Sequence, residues 1–127
     1  MRILGDFSYP CMGESVPVKL EVLHYDNGRI ALQLVSEMEE APGNYEPFTT
    51  LTVNMVDQEC ELDEAWIKNW SENEGAVEWM QLNELIVEGP LDNAQTGHAF
   101  VEKFRFTKKL MDAIAEQLVA EGIRSRR

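Results

Sequence analysis

Basic residues are nearly missing from the middle of the sequence: between Glu37 and Asp92, Lys68 stands alone against fifteen Asp and Glu, a balance of −14. The rest of the chain carries ten Lys and Arg against eight acids, so the net charge of −12 arises wholly in that block. A surface of this sign repels nucleic acid and anionic lipid, and attracts basic partners over a range set by salt. Long apolar runs are absent too, which excludes a membrane-spanning helix. The start MRILGDFSYP lacks the charged and apolar regions of a signal peptide, and the expected compartment is the cytoplasm. Cysteine is scarce: Cys11 and Cys60 lie far apart, outside any paired motif, and are expected to be reduced. With 127 residues, 44% of them hydrophobic, and no repeat or linker, the chain reads as one soluble domain with a real core rather than a disordered segment.

The chemistry-bearing motifs are missing as well. The sequence has no G-x-S-x-G, no Gly-rich phosphate loop and no Cys-His pair with a nearby orienting residue. A zinc site would need Cys11, His24, Cys60 and His98 to converge, and no two of them form a close pair. An EF-hand begun at Asp57 requires Gly at its sixth position and Glu at its twelfth, where this chain has Leu62 and Lys68. Among 23 carboxylates nothing singles out two for glycoside hydrolysis. The expectation is a protein that is not an enzyme and uses no cofactor or metal.

What is there specifies an α+β domain. VPVKLEVLHYDNGRIALQLVSE is a hairpin, and its register follows from its faces. A two-residue Asn27-Gly28 loop would mix apolar and polar side chains on both faces. A three-residue Asp26-Asn27-Gly28 loop with a left-handed Gly28 gathers Val18, Leu20, Val22, His24, Ile30, Leu32 and Leu34 on one face. After the polar loop SEMEEAPGNYEP, the run FTTLTVNMV alternates Leu51, Val53 and Met55 inward as a strand, and Ala65 to Trp70 reads as an extended lead-in. Ser71 to Glu74 has the form of a capping box, predicting a helix at about 72–86 that ends at Gly89-Pro90. In HAFVEKFRF, Phe100, Phe104 and Phe106 share one face of a strand. A C-terminal helix is expected at about 108–121, with rows Leu110, Ile114, Leu118 and Met111, Ala115, Val119, capped by Gly122. Together these give an antiparallel sheet of about four to five strands, with the hairpin at 18–35, packed against the two helices.

The densest feature is DQECELDEAWIKNWSENEG, with seven carboxylates and two tryptophans. In an extended segment Asp57, Glu59, Glu61 and Asp63 would form a ladder on one side, and Trp66, Lys68 and Trp70 would point one way beside it. Aromatic anchors ringed by charge have the make-up of a protein-binding hot spot; the plainer reading is that at least one tryptophan packs in the core. Glu72 and Glu74 suit the positive end of a helix, and Glu78 and Glu84 lie outward on it. Lys103, Arg105, Lys108 and Lys109 read as a solvated face or an internal counter-charge for the acidic block.

IKNWSENEGAVEWM, together with the Asn27-Gly28 hairpin and FTTLTVNM, resembles an uncharacterised family of small proteins, a domain of unknown function, over roughly residues 16 to 107. Members of that family occur on plasmids, conjugative elements and phages of bacteria. The resemblance supplies no catalytic residues. It implies a bacterial mobile element as the setting, where small acidic proteins inhibit host nucleic-acid-binding defence proteins by filling a groove shaped for phosphates. The expected partner is then a basic, nucleic-acid-handling protein, met through Asp57, Glu59, Glu61, Asp63, Trp66, Trp70, Glu72, Glu74, Glu78 and Glu84, with no direct binding of nucleic acid or membrane. A second reading is an accessory or assembly module of the element, a homodimer acting through its Trp66 and Trp70 patch.

Overall fold

The hairpin forms with the register argued from its faces. In the computed structural model, which describes the backbone of residues 2–69, 75–97 and 99–125 and the side chains of these from 3 to 117, strand β2 (Glu14–His24) pairs β3 (Ile30–Glu37) with Val22 opposite Leu32 and His24 opposite Ile30. The Gly28 amide donates to Tyr25 O and the Tyr25 amide to Arg29 O, closing a three-residue loop. Gly28 takes φ 85°, a conformation that costs a residue with a side chain about 1–2 kcal/mol. His24 is exposed rather than tucked into the apolar face, because the strand end has left the core by that point.

The chain is α+β: the described residues form eight strands in two four-stranded antiparallel sheets, and two helices. The first sheet is a meander of β1 (Arg2–Cys11), β2, β3 and β4 (Tyr45–Thr50). The second has the order β5 (Thr52–Val53), β6 (Glu64–Ile67), β8 (Ala99–Arg105), β7 (Asp92–Thr96). Two strands, β1 and β7, have no counterpart in the expected sheet. β1 is interrupted by a register shift between Leu4 and Phe7, which breaks its alternation, and β7, the polar and mostly exposed DNAQT, pairs with β8 at the edge of its sheet.

The expected strand FTTLTVNMV breaks at Leu51, which passes from one sheet to the other. Its buried amide donates to Leu32 O in the first sheet, and its carbonyl accepts from the Lys68 amide beside the second. Thr52 completes the joint: its buried hydroxyl accepts from the Leu32 amide at 3.1 Å and shares a 3.0 Å bond with the Tyr25 hydroxyl. Thr52→Val keeps the shape but leaves a buried N–H unpaired, so urea unfolding should show a loss of about 1–3 kcal/mol, with Thr52→Ser recovering most of it. Equal stability of the valine variant would show that the hydroxyl does not fasten the sheets.

The inner faces of both sheets and the two helices enclose one core. Val18, Leu20, Leu32 and Leu34 from the first sheet join Ala65, Ile67 and Phe104 from the second, with Phe106 just beyond it. Helix α1 (Ala76–Leu82) contributes Ala76, Val77, Trp79 and Met80, and α2 (Lys108–Ser125) contributes Leu110 and Ile114. The Trp79 indole N–H donates to Ser8 O at 2.7 Å, and its ring meets Tyr9 and Phe7 edge-on. Phe100 departs from the expectation at 68% exposed: β6 ends at the Ile67–Glu102 pair, so beyond it β8 is flanked by β7 alone.

Helix boundaries also shift. α1 begins at Ala76 because Gly75 sits at its N-cap with φ 87°, which a helix running through from residue 72 cannot contain. The Ser71 to Glu74 box itself lies outside the described residues; Asn69 Oδ1 accepts from the Val77 amide in the first turn at 3.3 Å. The helix stops at Leu82 rather than 86. There the Leu85 amide returns to Met80 O and the Glu84 amide to Gln81 O, a six-residue closing turn with Glu84 left-handed at φ 58°. Leu85 and Ile86 still reach the core, Ile86 through an antiparallel bridge to Phe106. At α2, Thr107 Oγ1 accepts from the Leu110 amide as an N-cap, and the helix runs on through Gly122 to Ser125.

Candidate partner-binding surface

Residues 54–63 leave β5 as a loop of turns, and the ladder expected from alternating acids is not present. The Val56 amide donates to Asn54 O, Gln58 to Met55 O and Glu64 to Glu61 O. Gln58, Cys60 and Leu62 offer no apolar set for a sheet face, so nothing holds the segment extended.

The loop is pinned by cations brought from elsewhere. Arg29, at the mouth of the hairpin, donates through Nη1 to Met55 O at 2.8 Å and through Nη2 to Gln58 O at 2.6 Å. Lys103 of β8 donates to Glu59 O at 3.2 Å, and Asn27 Nδ2 donates to Asn54 Oδ1. These cations bind main-chain carbonyls and leave the loop's carboxylates alone. Asp57, Glu59 and Glu61 are exposed, and no ion pair among the described residues involves them.

Beneath the loop lies the outer face of the second sheet. Trp66 and Lys103 are cross-strand partners there, as are Glu64 and Arg105. Glu64 is 5% exposed. Its carboxylate accepts from the Glu61 amide at 3.0 Å and from Arg105 Nη2 at 3.2 Å, and Lys103 Nζ stands 3.6 Å away. Burial pushes this carboxyl up, but the Glu61 amide, Lys103 and Arg105 together outweigh it and hold the group below its usual range. The Cys60 thiol donates to Glu64 O at 3.2 Å, and burial pushes its pKa up, which makes it a poor nucleophile.

Trp66 is interior rather than a surface anchor. It is 1% exposed, Lys103 Nζ sits 5.6 Å from its ring centroid, and its indole N–H has no hydrogen-bond partner. A hot-spot residue must be reachable by the partner, and this ring is covered. Trp70, Glu72 and Glu74 lie outside the described residues. Asp63, half exposed at the foot of the loop, has Arg105 Nε at 3.6 Å. Glu84 is exposed and paired with Lys109 at 2.9 Å, which holds its carboxyl below the usual range. Glu78 is exposed on α1, whose Trp79 packs against Phe7 and Tyr9 of the first sheet, whereas the acidic loop is tied to Lys103 on the outer face of the second. The structure thus brings together Asp57, Glu59, Glu61 and Asp63, and does not join Glu78 to them.

Lys103 and Arg105 are the internal counter-charge for Glu64 and Asp63, one of the two readings of that basic set. Arg29 and Glu64 are the organising residues that sequence reasoning passed over. Residues 19–123, from within β2 to the last turns of α2, match the family model described as a domain of unknown function (DUF4313). The chain belongs to that family. No curated protein and no solved structure matches it. The DUF4313 span contains the acidic loop and its anchors Arg29, Glu64, Lys103 and Arg105, while β1 precedes it. No helix among the described residues is long and apolar enough to cross a membrane.

Proposed function

We propose that this DUF4313 chain is a non-enzymatic interaction protein that offers the carboxylates of residues 57–63 to a basic, nucleic-acid-handling partner in place of phosphates. In a bacterial mobile element it would inhibit a host defence protein of that kind. The observation that carries the reading is the division of labour in the loop. Arg29 and Lys103 fix its backbone carbonyls, so Asp57, Glu59 and Glu61 are held on an ordered frame without being neutralised. Ordered carboxylates meet arginine forks in charge-assisted bonds about twice as strong as neutral ones, with little entropy left to lose.

An exposed charge surface of this kind is screened over about 10 Å at 0.1 M salt. Immobilised protein should therefore retain basic, nucleic-acid-binding proteins from a bacterial lysate at roughly 0.05 M salt and release most of them by about 0.3 M. Recovery of no basic protein at either salt would sink the proposal.

A further inference from the structure

We infer a second binding site, a groove at one end of the first sheet that takes an extended, arginine-bearing segment of a partner protein. The inference does not depend on the role proposed for residues 57–63.

At this end, past the register shifts between Leu4 and Phe7 and between Leu34 and Val35, the four strands of the meander pair with Phe7 opposite Val18, Lys19 opposite Val35 and Glu37 opposite Tyr45. Beside them the loop at 38–44 folds back on itself, the Met38 amide donating to Asn44 O and the Asn44 amide to Ala41 O. The enclosed space is about 750 Å³ and opens to solvent. Four strands spaced about 4.8 Å apart span roughly 14 Å, the length of about four residues of extended chain.

The lining suits one chemistry. Phe7, Val16, Met38 and Tyr45 supply partly buried carbon and aromatic surface, against which a long aliphatic stem can lie. Glu37, Glu39, Glu40 and Glu46 supply the charge. The one cation among the described lining residues, Lys19, is ion-paired with Asp6 and attracted also to Glu37, which leaves Glu39, Glu40 and Glu46. Glu39, Glu40 and Glu46 are exposed and take part in no ion pair among the described residues. A phosphate or nucleic acid is repelled here, and no three His, Cys, Asp or Glu among the described residues are arranged to hold a metal ion. Arginine fits better than lysine because its planar fork can engage two carboxylate oxygens while stacking on the Tyr45 ring.

The test is a titration of the full-length, 15N-labelled chain with an acetylated tetra-arginine peptide, followed by NMR, with spermidine as the comparator. Binding at the groove should move the amides of Lys19, Glu37 to Glu40, Tyr45 and Glu46. The combined variant Glu39→Gln, Glu40→Gln, Glu46→Gln should bind at least tenfold more weakly while keeping the wild-type urea midpoint, and Glu59→Gln with Glu61→Gln should leave groove binding unchanged. Shifts confined to residues 57–63, affinity unaltered by the triple neutralisation, or spermidine binding as tightly at the same amides would each overturn the inference. The first of these would leave the reading of residues 57–63 standing while removing the groove.

Discussion

Replacing Trp66 with alanine will destabilise the fold by about 3–5 kcal/mol, the cost of emptying a filled, close-packed site. The ring is buried on the outer face of the second sheet beneath Lys103, which is itself bound to Glu59 O of the acidic loop, and Val101 is fully buried on the same face of β8. Trp66→Phe should be far milder, within about 1.5 kcal/mol of the wild type, because most of the ring volume stays. It also removes an indole N–H that is buried without a partner, an arrangement that itself costs about 1–3 kcal/mol. Urea unfolding of the two variants decides the matter. Were Trp66 a surface anchor for a second copy or another protein, the alanine variant would stay within about 0.5 kcal/mol of the wild type and lose only association.

Glu64→Ala should cost about 3 kcal/mol at neutral pH, since removing one partner of a buried pair strands the other. Here the stranded groups are the Lys103 ammonium, largely buried, and the Glu61 amide; Arg105 is half exposed, so water screens most of its share. Glu64→Gln keeps an acceptor for the Glu61 amide and should fall between alanine and the wild type. The pH dependence has a definite sign. The folded carboxyl lies below the ordinary glutamate value of about 4.3, so its contribution is complete above that pH and is lost as the pH falls through the lowered folded value. Wild-type stability should thus drop on acidification below about pH 4 more steeply than that of Glu64→Gln, as read from urea midpoints at stepped pH. Parallel acid profiles would show that Glu64 is not ionised and paired in the fold.

The hairpin was legible because its determinants are local: a period of two on each strand, and a Gly placed where a left-handed residue is needed. Helix α2 was legible from Leu110, Met111 and Ile114, which reach the core; Ala115 is exposed, Leu118 and Val119 lie outside the described side chains, and the helix runs past the glycine expected to stop it. β7 was not legible, since an edge strand whose polar side chains are mostly exposed shows no apolar pattern. The start of α1 misled because Ser71 to Glu74 matches a capping box, yet Gly75 is left-handed just after it. At the candidate surface, the crowding of carboxylates stood out while their conformation did not. Alternating acids look like one side of a strand, but the groups that set this loop's course, Arg29 and Lys103, contact it from 29 and 44 residues away. No local pattern carries that information, and it decides which charges are consumed inside and which remain outside.

In the proposed function the carboxylates at 57, 59 and 61 serve association and not folding. The most direct measurement compares the wild type with the combined variant Asp57→Asn, Glu59→Gln, Glu61→Gln in urea unfolding and in retention of basic lysate proteins at low salt. Since the anchors bind backbone carbonyls that the variant keeps, its unfolding free energy should lie within about 0.5 kcal/mol of the wild type. Retention of nucleic-acid-binding proteins should largely disappear. A variant that folds equally well and retains the same proteins, or one that loses stability together with retention, would contradict the account.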